Sequence, residues 1–348
     1  MHNFRKTIRT TLLFLLAFVL LSVAAVAPFF CGENDNYQDY KEREELAGSL
    51  DYLILGASHA KRAFNPYILD QRLDVSSYDL SSQRMPMSAR YDILEKELDR
   101  NPVKTVVLEC SFDTLRINKD SEEIEGDLYY LGRLGNLSDQ IHYFCRTFEW
   151  KDYKKAYEFY LDKGFWCWKR LVKGTYHATL DPEANYKGYS LYKEDPIIEL
   201  PTNYAADYKT IRPSLQADEE GWEWLQKMVD LCHDRNAEVI LVATPVTRYQ
   251  ICRTVGYDQV MSRYTEFAEQ NGLAFYDFSL LKTRDRLFHD SRDFYDFYHL
   301  YNEAADTFTN VFCDVVERAA AGEDVLDLFY ASYAEYEQTQ DYYPQKEN

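Results

Sequence analysis

Apolar and polar positions alternate along the chain in a pattern that predicts strands and helices in turn. Short apolar runs predict buried strands, and apolar residues three and four positions apart predict the helices between them. The predicted strands are Tyr52 to Leu55, Val75 to Leu80, Thr105 to Cys110, Glu238 to Ala243 and Leu273 to Phe278. This alternation is typical of a parallel sheet with helices on both faces.

Four helices of the predicted α/β domain have a clear apolar face. Ser88 is the predicted cap of the first, and Gly272 closes the third. Their apolar positions are Tyr91, Leu94 and Leu98; Trp222, Leu225, Val229 and Cys232; Val260, Tyr264 and Phe267; and Ala305, Phe308, Phe312 and Val315.

A segment from about Thr114 to Leu215 interrupts the alternation of strands and helices. It holds twelve tyrosines and three of the five tryptophans. Two interpretations stay open: a mostly helical insertion with an aromatic core of its own, or a lid whose flat rings stack on sugars or contact a partner. The tail, residues 326–348, is acidic and tyrosine-rich, and we expect it to be loosely held.

The N-terminus predicts a membrane anchor. Leu12 to Phe30 is apolar except for Ser22, and three basic residues precede it. This pattern favours a single-pass membrane protein whose C-terminal domain lies outside the cytoplasm. A cleaved signal peptide is the alternative, because Ala25 to Ala27 resembles a cleavage site, although Pro28 directly follows it.

These patterns divide the chain into five parts. We expect an anchor with a short cytoplasmic stub, an acidic link, an α/β domain in two segments, the insertion and the tail. Their ranges are 1–31, 32–49, 50–113 with 216–325, 114–215 and 326–348.

Charge and cysteine usage exclude some functions. The formal net charge of −19 repels nucleic acid and anionic lipid headgroups, so we expect no nucleic-acid partner. The seven cysteines are far apart and form no CxxC pair, which argues against a cysteine-based metal site. A disulfide stays possible in an oxidising compartment, but its pairing does not follow from the sequence.

Polar residues follow the predicted strands at their carboxyl ends. In open parallel sheets ligands bind beyond these ends, so such residues are candidates for a functional site. They are Ser58 and His59 after the first strand, Ser81, Ser82 and Gln83 after the second, Ser111 and Asp113 after the third, and Thr244 after the fourth.

A histidine and an aspartate near the C-terminus suggest why a serine follows the first strand. Asp296 lies three residues before His299, on one side of a predicted helical turn, so its carboxylate can hold one imidazole nitrogen and leave the other as a base. A serine hydroxyl is a weak nucleophile until such a base removes its proton. We therefore expect Ser58 to attack an acyl group, His299 to move the proton and Asp296 to stabilise the imidazolium.

The order of three short segments resembles the SGNH/GDSL hydrolase superfamily. They are the Gly56-Ala57-Ser58 turn, the DLSSQ segment from Asp79 to Gln83, and the DxxHL segment from Asp296 to Leu300. The resemblance covers about 50–113 and 222–316, and within the superfamily it is nearest to membrane-anchored envelope acyltransferases such as the D-alanyl-lipoteichoic acid transfer protein and polysaccharide O-acetylation proteins.

This resemblance implies a fold, a catalytic triad and a class of partner. The fold is a flavodoxin-like three-layer α/β sandwich with a five-stranded parallel sheet, here joined to an N-terminal transmembrane helix and a mostly helical insertion. The triad falls on Ser58, His299 and Asp296, and no cofactor is implied. The partners would be an acylated envelope glycan or polymer and a membrane-bound O-acyltransferase.

The oxyanion-binding part of the site departs from the superfamily. The superfamily has a glycine in its second block and an asparagine in its third, whereas this chain has Ser81 or Ser82 in the second. The third block reads ECSFD, Glu109 to Asp113, and a carboxylate is a poor donor unless it is protonated. Either the backbone of Ser58 and Ser82 binds the oxyanion together with Gln83, or the activity is weak.

Simpler roles compete for these residues. Ser58 could merely cap a helix, and His59 fits a local structural or substrate-contact role better than that of a second base. The spacing of acidic residues and histidines from His289 to His299 also allows a divalent ion, although the triad already accounts for two of them.

Two functions of different classes follow. The first is an anchored serine esterase or O-acyltransferase that acts on an envelope glycan or polymer through an acyl-serine intermediate. The second is a catalytically impaired domain that binds glycan or scaffolds a membrane acyltransferase.

Overall fold

The five predicted strands all form, and they lie parallel in one sheet in the computed structural model. The sheet order is β2-β1-β3-β6-β7. Counted along the sheet strands alone, this is 2-1-3-4-5, the order of flavodoxin-like folds. The strands are β1 (Tyr52–Leu55), β2 (Ser77–Asp79), β3 (Thr105–Glu109), β4 (Asn185–Tyr186), β5 (Tyr189–Ser190), β6 (Glu238–Ala243) and β7 (Ala274–Asp277), with β4 and β5 paired as a separate antiparallel hairpin.

The structure describes residues 2–31, 35–112, 114–115, 123–175, 185–192, 194–200, 219–254 and 256–338. It divides into two compact units. Residues 1–41 and 127–182 form one, and residues 42–126 and 183–348 form the other, which we call the α/β unit. The predicted insertion, 114–215, therefore contributes residues to both units.

The helices follow the predicted pattern with small shifts at their ends. Ser88 is not a helix cap, because Pro86 occupies the N-cap position and the helix begins at Met87. The helices are α1 (His2–Cys31), α2 (Asp35–Glu45), α3 (Ser58–Lys61), α4 (Pro66–Leu73), α5 (Met87–Arg100), α6 (Glu123–Arg133), α7 (Leu137–Thr147), α8 (Tyr153–Lys173), α9 (Glu219–Asp234), α10 (Arg248–Arg253), α11 (Tyr257–Asn271), α12 (Arg284–Leu287), α13 (Asn302–Ala320) and α14 (Tyr333–Gln338).

The sheet of the α/β unit is covered on both faces. On one face α4 packs against α13, and Phe308 of α13 meets Phe278 with ring centroids 5.1 Å apart. On the other face α5 packs against α9, and Trp222 of α9 meets Tyr264 of α11 at 4.9 Å. The strands are buried between these layers because they consist almost wholly of apolar residues.

The turn of the β4–β5 hairpin is hydrogen-bonded to the end of the edge strand β2. Its turn residue Lys187 accepts a hydrogen bond from the backbone N–H of Asp79 at 2.9 Å. Gly188, with φ of +83°, follows in the turn, and a Cβ there would lie 1.8 Å from the Asp79 carbonyl oxygen. Only glycine permits this approach.

The start of the C-terminal tail differs from the expectation of a loosely held segment. A bridge joins Phe329 to Leu281, and α14 follows at Tyr333. The Tyr336 ring is buried, and its hydroxyl donates to Asp285 at 3.0 Å. An acidic, tyrosine-rich segment packs here because its rings supply apolar area, and residues 339–348 lie outside the described ranges.

The other unit contains α1, most of α6, α7 and α8. By length and composition α1 can cross a membrane, with an apolar window from Phe4 to Phe29. Buried Asp39 of α2 pairs with buried Arg133 of α6 at 3.1 Å. Gly135 lies against the Tyr40 ring, where a Cβ would come within 2.0 Å of ring carbons.

The buried carboxyl group at the end of β7 predicts a pH dependence of stability. Asp277 accepts hydrogen bonds from the Tyr257 hydroxyl at 2.6 Å and the Ser279 N–H at 3.0 Å. Burial, the largest effect, raises the pKa of Asp277 from 3.8 to about 7, although both hydrogen bonds act to lower it. The folded state therefore holds this proton more tightly than the unfolded state, so stability falls as the pH rises from about 4 to about 7.

We expect Asp277→Asn to weaken this decrease in the free energy of unfolding between pH 5 and pH 8. The variant should be the more stable protein at pH 8, because asparagine carries no charge to bury, and each unit of pKa shift corresponds to about 1.4 kcal/mol. Chemical denaturation of the full chain in detergent measures both slopes, with the exposed Asp230→Asn as control. An unchanged slope in Asp277→Asn would show that Asp277 does not carry the dependence.

Candidate active site

Ser58 lies at the first turn after β1, the strand between β2 and β3. Gly56 lets this turn pack closely, because a Cβ there would come within 2.6 Å of the Cβ atoms of Ala60 and Glu109. Ser58 is the first residue of α3 and is not its cap, since Ala57 holds the N-cap position and makes no side-chain cap. The Ser58 hydroxyl is hydrogen-bonded to another part of the chain.

The partner of Ser58 is the imidazole of His299. Ser58 Oγ lies 2.8 Å from His299 Nε2, and His299 Nδ1 lies 2.8 and 2.9 Å from the two Asp296 oxygens. Because a carboxylate can only accept, Nδ1 carries the proton and Nε2 is free to accept one from Ser58. Ser58 and His299 are 241 residues apart in sequence. Together with Asp296 they form one continuous hydrogen-bonded chain.

The segment between Asp296 and His299 is not the helical turn that the spacing suggested. The side chain of Asp296 closes the turn instead, since Oδ1 accepts the backbone N–H of Tyr298 at 2.8 Å and of His299 at 2.9 Å. Aspartate commonly closes turns through such side-chain-to-backbone bonds. The same carboxylate therefore positions both the backbone and the ring of His299.

The loop that carries His299 is fixed to the rest of the α/β unit on both sides. Phe294 and Leu300 are buried and form an antiparallel bridge. Thr247, after β6, donates to the Phe297 carbonyl from its N–H at 3.2 Å and from its hydroxyl at 3.0 Å. Both contacts restrain the histidine that the loop presents.

The acidic residues of this loop have structural partners. Asp290 is buried and pairs with buried Arg284 at 3.0 Å, and Asp293 accepts from the N–H of His289 and pairs with Arg292. Within the described ranges, no group of three histidine, cysteine, aspartate or glutamate side chains is placed to hold a metal ion.

The charges around His299 favour the neutral base. Burial is the largest effect and lowers the pKa of His299 below 6.5, and the positive charges of His59 and Arg62 lower it further. The hydrogen bond and charge of Asp296 act in the opposite direction. Burial raises the pKa of Asp296, but the contacts with His299 and the two backbone N–H groups outweigh it and lower the pKa, so this carboxyl is ionised at neutral pH.

Glu109, at the end of β3, is a fully buried carboxylate. Its oxygens accept the backbone N–H groups of Ala57 at 3.3 Å and Ser111 at 2.9 Å, and one oxygen lies 3.6 Å from His59 Nδ1. Burial would raise the pKa of Glu109, but His59, Arg90 and the Ser111 contact lower it to about 2. An ionised Glu109 cannot donate to an oxyanion, and it clamps the turn of Ala57 and Ser58 to β3 instead.

Sequence reasoning considered Glu109 only as a missing donor and overlooked this clamp. A charged residue that ends the apolar strand TVVLE is the signal that could have revealed it. His59 is held by this clamp, and its ring centroid lies 5.1 Å from that of His299.

The candidate oxyanion donors differ in their availability. The N–H of Ser81 donates to Asp79 Oδ1 at 2.8 Å and is already engaged. Among the described residues the structure gives no acceptor for the N–H groups of Ser58 and Ser82, and Gln83 is exposed. The backbone of Ser58 and Ser82 thus supplies the available N–H donors of the predicted set.

The other candidates at the strand ends lie in the framework around the site. Ser111 is buried, and its hydroxyl contacts that of Thr114 at 2.7 Å. Thr244 is buried, and its carbonyl accepts from the Ser279 hydroxyl at 3.3 Å. Asp113 lies outside the described residues.

Sequence reasoning also overlooked a cation and two stacked rings beside the hydrogen-bonded chain of Ser58, His299 and Asp296. Arg62 follows Ser58 by four residues, and its guanidinium lies 4.0 Å from the centre of the Tyr192 ring. Tyr192 stacks on Tyr295 with centroids 3.7 Å apart, and Tyr295 directly precedes Asp296. Little in the sequence indicated this cluster, because Tyr192 belongs to the segment in which strands and helices do not alternate regularly.

Comparisons with known proteins identify distant structures. The sequence matches no protein-family model and no curated protein. An inferred acylhydrolase of Bacteroides fragilis has a TM-score of 0.38 at 10% identity, covering 80% of this chain and 94% of its own. A GDSL-like lipase of Bacteroides thetaiotaomicron has a TM-score of 0.39 at 10% identity, covering 82% of this chain and 100% of its own. The assignment of the candidate site therefore rests on the distances within this chain.

The neutral state of His299 predicts the pH dependence of ester hydrolysis. If Ser58 and His299 act as nucleophile and base, hydrolysis of a small chromogenic acetate ester should have an acidic limb of kcat/KM with its midpoint below pH 6.5, because the reaction would require unprotonated His299. Removing the charge of His59 should raise the pKa of His299, so His59→Gln should move this midpoint to higher pH. The exposed His289→Gln, in the same loop, is the matched control and should leave the midpoint unchanged. A midpoint in His59→Gln that stays where it is or falls would contradict the electrostatic role of His59.

Proposed function

We propose that the chain is a membrane-anchored serine esterase or O-acyltransferase of the SGNH type. Its α/β unit would lie outside the cytoplasm and act on an acylated envelope glycan or polymer. The observation that carries this proposal is the hydrogen-bonded chain from Ser58 through His299 to Asp296, with links of 2.8 Å. A nucleophile, a base and a group that orients the base are the parts of a serine acyl-transfer site.

The reaction would proceed in two steps. Ser58 Oγ attacks the acyl carbonyl carbon while its proton passes to His299 Nε2, and Asp296 stabilises the imidazolium that forms. The tetrahedral intermediate expels the alcohol, which takes the proton from His299 and leaves an acyl-Ser58 ester. Water or a sugar hydroxyl then attacks the acyl carbon of this ester and gives its proton to His299. The second tetrahedral intermediate releases an acid or an acylated glycan and expels Ser58 Oγ, which takes the proton back from His299 Nε2.

The oxyanion of both intermediates would be bound by backbone groups. The N–H groups of Ser58 and Ser82 are the donors that we assign, with Gln83 as a third. The ionised Glu109 would not contribute, and loss of one donor typically costs about 100-fold to 1000-fold in rate. We therefore expect a modest rate with activated small esters.

Features outside the triad support a large, membrane-near substrate. The stacked rings of Tyr192 and Tyr295 stand beside Asp296, and flat aromatic faces are suited to bind sugars. The apolar helix α1 is long enough to cross a bilayer. A membrane-bound O-acyltransferase is the partner that would deliver the acyl group.

One observation favours a second candidate function. The charge of buried Glu109 lies under the nucleophile turn, where it opposes a developing oxyanion, although His59 and Arg90 partly offset it. A domain with this arrangement could bind glycan, or scaffold a membrane acyltransferase, without turnover.

A serine-directed fluorophosphonate probe separates the two candidates. We expect one adduct on the full chain, located on Ser58 by mass spectrometry, because only an activated serine attacks the probe at phosphorus. His299→Ala should lower the labelling rate by roughly 1000-fold or more, since the hydroxyl loses its base. The exposed His233→Ala is the matched control and should label normally. A folded chain that takes no label would favour the binding domain.

The aromatic pair predicts a difference between large and small substrates. Tyr295→Ala should lower kcat/KM for an acetylated oligosaccharide by roughly twofold to tenfold, the equivalent of about 0.5–1.5 kcal/mol for a lost ring contact. Hydrolysis of the small acetate ester should change less than twofold. Tyr91→Ala, on the opposite layer of the α/β unit, is the control. Equal losses for both substrates in Tyr295→Ala would mean that the ring supports the loop and does not bind sugar.

A further inference from the structure

Helix α8 is in direct contact with the membrane-length helix α1. The backbones approach closely, because a Cβ on Gly164 would lie 2.2 Å from the carbonyl oxygen of Ala25. The Trp168 indole donates to the Ala24 carbonyl at 3.1 Å. Small residues at the crossing and a polar bond to a free carbonyl are typical of helices that pack within or beside a bilayer.

The contact lies on the C-terminal half of α1. Residues 4–21 of α1 are all exposed, whereas residues 25–29 are half-buried under α8. A helix needs about 20 residues to cross the hydrocarbon core. If α1 spans the bilayer, α8 lies at the level of the leaflet next to the C-terminal end of α1, and at the boundary of that leaflet with water.

The C-terminal half of α8 presents apolar side chains outward. They sit within eight residues of one another, a concentration that soluble surfaces seldom show. The exposed set is Phe165 (59%), Trp166 (51%), Trp168 (40%), Leu171 (45%) and Val172 (84%), and Trp150, just before α8, is 85% exposed.

The charge of α8 is opposite to that of the chain. The helix has six basic and only two acidic residues, in a chain with a net charge of −19. Lys169 and Lys173 are exposed among the apolar side chains. Tryptophan together with lysine and arginine is the composition of helices that lie at the membrane interface.

We propose that the exposed face of α8 binds the interface of an anionic bilayer, as a second membrane contact beside α1. Its aromatic and aliphatic side chains enter the boundary between headgroups and acyl chains, and its basic side chains meet lipid phosphates. A second copy of the chain is the poorer occupant, because pairing two α8 faces would bring two positive surfaces together. This proposal rests on α1 spanning the membrane and is independent of the activity proposed for Ser58.

Tryptophan quenching by brominated phospholipids tests the proposal on the full chain in proteoliposomes. The chain has five tryptophans, three in or beside α8 and two on α9. In Trp222→Phe/Trp224→Phe, which retains Trp150, Trp166 and Trp168, we expect brominated acyl chains to remove at least half of the emission. In the matched Trp150→Phe/Trp166→Phe/Trp168→Phe variant, most of the emission should remain.

The charge of α8 is tested separately in vesicles with and without anionic phosphatidylglycerol. Lys169→Gln/Lys173→Gln, with all tryptophans present, should reduce quenching in anionic vesicles. We expect about a fivefold loss in the equilibrium constant for insertion of α8 per lysine. Lys227→Gln, on α9, should change nothing. Circular dichroism of each variant verifies that the helices are intact.

Two results would overturn the proposal. In the first, brominated lipid does not quench the emission of Trp150, Trp166 and Trp168. The exposed face of α8 would then be open to water or covered by a second copy or another protein. In the second, quenching is strong but does not depend on anionic lipid or on Lys169 and Lys173, which would contradict binding to an anionic interface. Labelling of Ser58 by the fluorophosphonate is unaffected by either result, so failure of this proposal and failure of the proposed function are distinguishable.

Discussion

The carboxylate of Asp296 is the group on which the geometry of the candidate site depends. It accepts the backbone N–H groups of Tyr298 and His299 and the imidazole Nδ1–H at once. This triple contact sets the ring orientation and leaves Nε2 facing Ser58 at 2.8 Å. Because one group holds both the turn and the base, the base cannot rotate away from the serine without opening the turn.

The turn around Asp296 keeps the ring of His299 in this orientation because the residues on either side of the turn are held by the core. Phe294 and Leu300 are buried on either side, and Thr247 ties the tip of the loop to the end of β6. Below the loop, buried Arg284 pairs with Asp290, whose other oxygen accepts the N–H of Arg248. Removing one member of a buried pair typically costs about 3–5 kcal/mol, since the other charge is left without compensation. The acidic character of the loop therefore stabilises its structure.

The serine side of the candidate site is organised by a second carboxylate, that of Glu109, which is fully buried. Glu109 holds the turn before Ser58 through the N–H of Ala57, and its low pKa keeps it charged. The charge is balanced locally by His59 and Arg90. His59 in turn stands beside His299 and favours its neutral form. One negative charge under the serine is thus balanced by His59, whose charge favours a neutral imidazole at His299.

The local pattern of the sequence determined which elements form and which residues follow the strands. Strands β1 and β6 have the bounds that the sequence predicts, and their buried residues are apolar because buried parallel strands need apolar residues on both faces. The DxxH spacing also placed Asp296 next to His299, since three residues are within reach of a turn. The sequence did not predict the type of turn. Asp296 closes the turn with its own side chain, and helical periodicity does not describe bonds between a side chain and the backbone.

Only the tertiary structure decided which partners meet across long sequence distances. The contact of Ser58 with His299, the clamp of Glu109 on the serine turn and the stack of Tyr192 on Tyr295 join segments that no local period relates. The sequence placed Ser58 at a strand end and predicted His299 as its partner, but it could not say how the two chain segments approach or which N–H groups remain available. Those depend on the order 2-1-3-4-5 of the sheet and on side-chain packing between distant segments, since a local pattern reports only the faces of one element at a time.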